Sequence, residues 1–75
     1  MDVDIGSFGF RLWYALKVRN MTQKELAERI GVSAQTISGY TTGIKKPTID
    51  KAIQIAHALN VSLDFLFLGE ELKNG

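Results

Sequence analysis

The chain has no cysteine, which excludes a disulfide framework and a thiolate metal site. Its one histidine, His57, has no second histidine and no carboxylate pair at zinc spacing beside it, so a ligand or catalytic role has no support. There is no nucleophile–base pair and no phosphate loop with a lysine, which argues against an enzyme and against a bound cofactor. No apolar run is long enough for a membrane span, and no charged-then-apolar leader opens the sequence. A cytoplasmic location without membrane contact is the resulting expectation. Charge of one sign is also scarce: the net is only +1, which at first sight argues against nucleic acid.

The distribution of that charge says otherwise. Between Phe10 and Lys46, Arg11, Lys17, Arg19, Lys24, Arg29, Lys45 and Lys46 stand against Glu25 and Glu28, a local net of +5. The acidic residues gather at the two ends, which leaves one positive segment suited to phosphates. With 75 residues, 45% hydrophobic and 23% charged, the chain reads as a single small globular domain. Such a chain buries about 60% of its unfolded surface, so its stability should be modest.

Met21 to Gly43 organises the rest. Thr22-Gln23-Lys24-Glu25 is a capping box, with Met21 and Leu26 as its hydrophobic staple. Leu26, Ala27 and Ile30 form an apolar stripe, and Gly31 stops the helix. Ser33 then caps a second helix, Ala34 to about Thr42, with Val32 stapling against Ile37. Two helices joined by about three residues must cross steeply, the helix-turn-helix arrangement. The second helix turns Ile37 and Tyr40 inward, while Ala34, Gln35, Thr36, Ser38, Gly39, Thr41 and Thr42 are small or neutral polar groups. These are poor helix formers. Their small size lets a partner approach closely, and their donors and acceptors are those that read base edges in the DNA major groove.

These residues, together with G-x-K-K-P at Gly43 to Pro47 and NVSLDFLFLG at Asn60 to Gly69, resemble the lambda-repressor-like helix-turn-helix family of phage CI/Cro repressors and Xre-type regulators. The resemblance runs from about Arg11 to Gly69. It implies an all-α fold, a compact five-helix bundle, and a sequence-specific double-stranded DNA-binding regulator acting as a homodimer on a pseudo-palindromic operator. It places base-reading positions at Ala34, Gln35 and Gly39, with Thr36 nearer the DNA backbone. Gln35 can pair bidentately with adenine, Ala34 offers a methyl, and Gly39 has no side chain where relatives often carry a polar reader. Gln23 and Ser33, at the two helix starts, and Lys45 and Lys46, beside the second helix, are the candidate phosphate contacts. A merely solvated loop at Lys45-Lys46 is the plainer alternative.

In chain order, residues 1–6 read as a loose acidic arm, 7–69 as the DNA-binding domain, and 70–75 as a polar tail or the start of a linker to an oligomerisation domain. Ser7 caps a first helix reaching about Arg19, whose core face is Phe8, Leu12, Ala15 and Leu16. The opposite face carries Phe10, Trp13, Tyr14 and Lys17 at helical spacing, where relatives usually have charge. Three readings stay open there: extra core beneath the arm or tail, a partner surface, or base stacking. Thr48 caps a fourth helix with Ile49, Ala52, Ile53, Ala56 and Leu59 towards the core, Ile55 near the stripe's edge, and Asn60 as its stop. Ser62 caps a fifth helix, Leu63 to Leu68, apolar nearly all round. Something should cover Phe67 or Leu68, and Leu63, Phe67 and Leu68 are the expected dimer contact alongside the aromatic face. A protein-interaction or antitoxin-like module using that face is the rival reading.

Overall fold

A computed structural model describes residues 8–68. The arm, the Ser7 cap, Gly69 and the tail lie outside them, as does the Leu68 side chain. The described residues form five helices and no strand: α1 (Phe8–Val18), α2 (Gln23–Ile30), α3 (Ala34–Thr42), α4 (Ile49–Leu59) and α5 (Leu63–Leu68). None of the described helices is long and apolar enough to cross a membrane.

Short-range chemistry sets the helix ends. Thr22 Oγ1 accepts from the Glu25 N–H at 3.0 Å, and the Glu25 carboxylate accepts from the Thr22 N–H at 2.8 Å. Ser33 and Thr48 cap α3 and α4 in the same way, accepting from Thr36 and Lys51. Each of the first four helices is followed by a residue with positive φ, namely Asn20, Gly31, Gly43 and Asn60. Glycine reaches that region without strain, and asparagine is the side chain that tolerates it best. The reversals are closed by N–H groups that reach back to the preceding turn, such as Met21 to Leu16, Val32 to Ala27 and Val61 to Ala56.

Packing then joins α1 to α3 and α5, α2 to α3 and α4, and α4 to α5. Leu12, Leu26, Ile37, Ile55, Leu59 and Leu66 are the largest side chains wholly removed from water. No polar or charged side chain is buried among the described residues. Phe8, Met21, Val32, Val61 and Leu63 close the edges of this core.

The apolar face of α4 differs from the expected one. Ile49 is 63% exposed and Ile53 38% exposed, whereas Ile55, expected at the edge, is wholly buried. The buried set Ala52, Ile55, Ala56 and Leu59 spans an arc of about 100° at 3.6 residues per turn. Ile49 and Ile53 fall on one flank of that arc. With apolar residues around so much of the helix, the inward side is chosen by the neighbours, not by the periodicity.

Two cations tie distant elements together. Arg19 donates from Nε to the Leu59 carbonyl at 2.8 Å and from a terminal nitrogen to the Asn60 carbonyl at 2.9 Å. Lys51 donates to the Ile30 carbonyl at 3.0 Å. Both meet the carbonyl end of a helix, where unpaired oxygens and the dipole favour positive charge. Arg19 therefore serves the fold, although its charge belongs to the positive segment.

α1 also approaches α3 unusually closely. A Cβ placed on buried Gly9 would lie 2.7 Å from the Thr41 carbonyl oxygen and 2.8 Å from that of Tyr40. Only a residue without a side chain lets the two backbones meet there.

Candidate nucleic-acid interface

α3 has little intrinsic helix propensity, so its place is set by its ends and its buried side. Ser33 holds one end, and Gly43, at φ +85°, turns the chain away at the other. Ile37 is wholly buried and Tyr40 is 6% exposed. The hydroxyls of Thr41 and Thr42 donate back to the carbonyls of Ser38 and Gly39, which removes two loose donors from the surface.

Opposite Ile37 and Tyr40 lie Gln35, Ser38 and Thr42, all exposed, with half-buried Gly39 among them. Ala34 is exposed at the start of the helix. Gln35 thus stands where the sequence reading put a base reader. Ser38 and Thr42 share its face; the i, i+3 and i+7 spacing from Gln35 was the signal for both. The face carries no charge.

Gly39 is not an open gap. Its missing side-chain position lies 3.1 Å from Cγ and Cδ of Lys45 and 3.3 Å from Cβ, and the Lys45 N–H donates to the Gly39 carbonyl at 3.1 Å. The aliphatic stem of Lys45 lies across the outer surface of α3. Lys46 is also exposed.

The candidate phosphate groups form two clusters. At the start of α3, the Ser33 and Thr36 hydroxyls are 3.0 Å apart while Ser33 Oγ also accepts from the Thr36 N–H. One hydrogen is shared between the two oxygens, so the pair keeps one O–H for an outside acceptor. At the start of α2, half-buried Gln23 follows the Thr22 cap and borders an open groove lined by Trp13, Leu16, Lys17, Asn20, Met21, Thr22 and Gln23. Lys17 holds its ammonium 5.5 Å from the centre of the Trp13 ring at that groove, a cation–π distance. Hydrogen bonds from the Thr22 N–H and hydroxyl, with Arg29 nearby, hold the Glu25 carboxyl below its ordinary pKa. Glu25 therefore stays ionised and locked in the capping box.

The aromatic face divides into two parts. Phe10 and Trp13 are 40% and 43% exposed and sit 5.9 Å apart. Tyr14 leans on Phe65 of α5 at 6.4 Å, and Phe67, 44% exposed, stacks on Phe8 at 5.0 Å. Leu63 packs against the core's edge. Among the described residues no group of three or more histidine, aspartate or glutamate side chains could hold a metal ion.

Comparison with known proteins agrees with this geometry. A family model described as helix-turn-helix matches residues 14–66, more than two thirds of the chain. The chain is 47% identical over 64 residues to the HTH-type transcriptional regulator PrtR of Pseudomonas aeruginosa, covering 85% of this chain and 25% of that protein. It is 38% identical over 56 residues to the cryptic phage CTXphi transcriptional repressor RstR of Vibrio cholerae, covering 75% of this chain and 50% of that one. Among solved structures, the P22 c2 repressor in complex with a synthetic operator superposes with a TM-score of 0.79 at 27% identity, covering 84% of this chain and 96% of that one. The chain spans half or less of the length of several curated relatives that it matches, 50%, 25% and 47% of three of them.

Proposed function

Since the chain belongs to the helix-turn-helix family matched over residues 14–66, we propose that it is a sequence-specific double-stranded DNA-binding transcriptional regulator. In this reading it is a repressor of the phage or Xre type that sits on a pseudo-palindromic operator as a homodimer. The observation that carries the proposal is the outer face of α3, where Gln35, Ser38 and Thr42 stand exposed and uncharged opposite a fully buried Ile37. A face of that kind gains little from water-facing charge and much from base edges.

α3 enters the major groove with its N-terminal residues foremost. Gln35 pairs through its amide with N6 and N7 of an adenine, and Ala34 meets a thymine methyl. Gln23 and the first turn of α2 hold one phosphate, using backbone donors and the positive end of the helix dipole. The outward hydroxyl of the Ser33–Thr36 pair holds another, and Lys46 neutralises the adjoining backbone. Phosphate contacts set register and orientation, while the α3 side chains carry the sequence preference. A second copy then covers apolar surface left open on one domain, with exposed Phe67 at the α5 end. An oligomerisation domain beyond this chain could supply the same pairing. The role in the cell is transcriptional, without catalysis and without a cofactor, in the cytoplasm.

Selection from a random duplex library at moderate salt, followed by sequencing of the retained DNA, tests the proposal. An enriched inverted repeat with half-sites about one helical turn apart is the expected result. Gln35→Ala should then lose about 1–3 kcal/mol of discrimination at one base pair. Retention that is unselective and vanishes with salt would refute sequence reading. The exposed Phe10–Trp13 pair favours a second reading, capture of a protein partner on the outer side of α1. Loss of partner binding in Trp13→Ala, with DNA selection unchanged, would be its signature.

A further inference from the structure

Given that α3 reads DNA, the proposal on which this rests, we infer that Lys45 is a base-reading residue occupying the position left vacant at Gly39. A lysine on a loop is ordinarily a mobile point charge that contacts whichever phosphate is near. Lys45 is held differently. Its N–H is bonded to the Gly39 carbonyl, and its Cβ, Cγ and Cδ lie within 3.3 Å of the Cβ position that Gly39 lacks. Gly39 and Gln35 are four residues apart on the same side of α3, so the stem meets the helix about one turn from the adenine-reading amide. Contact of that stem with Gly39 limits the arc over which the ammonium can swing, on the outer side of α3 that faces base edges.

The chemistry of the tip selects its target. An ammonium offers donors only. Of the major-groove edges, guanine presents two acceptors, O6 and N7, with no donor between them. Lys45 therefore reads a guanine next to the base pair read by Gln35, and Gly39 contributes by having no side chain to obstruct it.

Two substitutions approach this assignment from opposite sides. Lys45→Met keeps the stem over Gly39 and removes the charge. Gly39→Ala keeps the charge and puts a methyl 3.1 Å from the stem, so the stem must lift. Library selection followed by competition with single-base variants should show both losing about tenfold in preference at the same G·C pair. The melting temperature of Lys45→Met should be unchanged. Lys45→Arg, which also pairs with O6 and N7, should retain the preference, and Lys46→Ala should weaken all sequences alike. Because the two substitutions act on one contact, Gly39→Ala should cost nothing further at that pair once Lys45→Met is present. If Lys45→Met weakens all sequences uniformly, as Lys46→Ala does, Lys45 is a phosphate contact and the inference is overturned while DNA reading stands. If the unaltered chain enriches no sequence at all, the inference and the DNA reading fall together.

Discussion

Gly9→Ala puts the packing argument at its most exposed point. On an isolated helix the substitution stabilises, by up to about 1 kcal/mol from helix propensity, and it also narrows the unfolded ensemble. In this protein the added methyl would sit 2.7 Å from the Thr41 carbonyl oxygen and 2.8 Å from that of Tyr40. Ordinary contact begins near 3.4 Å, so α1 and the end of α3 must separate by roughly 0.7 Å, a distance that small core changes already make costly. Both atoms are backbone, so no side chain can rotate away. Overpacking of this kind costs about 1–3 kcal/mol, and two backbone contacts place it at the upper end. Less the propensity gain, the net loss is about 2 kcal/mol, a fall of about 10 °C in melting temperature for a domain of this size. Circular dichroism melts and urea titrations of the two proteins measure it directly. A Gly9→Ala protein as stable as the parent, or more so, would refute the close approach of α1 to α3.

Other substitutions separate the remaining claims. Ile55→Ala should destabilise by about 2–5 kcal/mol and Ile49→Ala by no more than about 0.5 kcal/mol, and equal losses in urea melts would return Ile49 to the core. Arg19→Met keeps the stem but removes two hydrogen bonds to carbonyls at the end of α4; we expect a loss of about 1–2 kcal/mol. The slope of DNA affinity against salt should not change, whereas a shallower slope would make Arg19 a phosphate contact. Glu25 has its folded pKa lowered, so its stabilisation is complete above the unfolded pKa of about 4.3 and fades as pH falls through the folded value. The melting-temperature deficit of Glu25→Gln should accordingly be largest at neutral pH and close in acid; a deficit that does not change with pH would remove the carboxylate from the capping box.

The readable parts of this protein are those governed by interactions within three or four residues. Thr22 with Glu25, Ser33 with Thr36 and Thr48 with Lys51 start helices where the hydroxyls stand. Gly31, Gly43 and Asn60 end them. The neutral face of α3 was visible for the same reason, because Ile37 and Tyr40 left only one inward orientation. The five helices, the short turn between α2 and α3 and Gln35 on the outer face all follow from these local preferences, as does the family resemblance that they spell out.

What the tertiary structure decided are the matters in which one segment meets another far along the chain. The inward face of α4 went to Ile55 and not to Ile49, since an apolar arc too broad to choose for itself was chosen by its neighbours. Arg19 found carbonyls about forty residues away, and Lys51 found one twenty-one residues away; neither spacing leaves a pattern in the sequence. Gly9 and Gly39 look alike as letters. One admits a backbone and the other a lysine stem, and that difference exists only once α1, α3 and the loop after α3 are packed. Hydrogen bonds and dihedral preferences acting over a few residues are written locally, whereas shape complementarity arises only where separate segments meet.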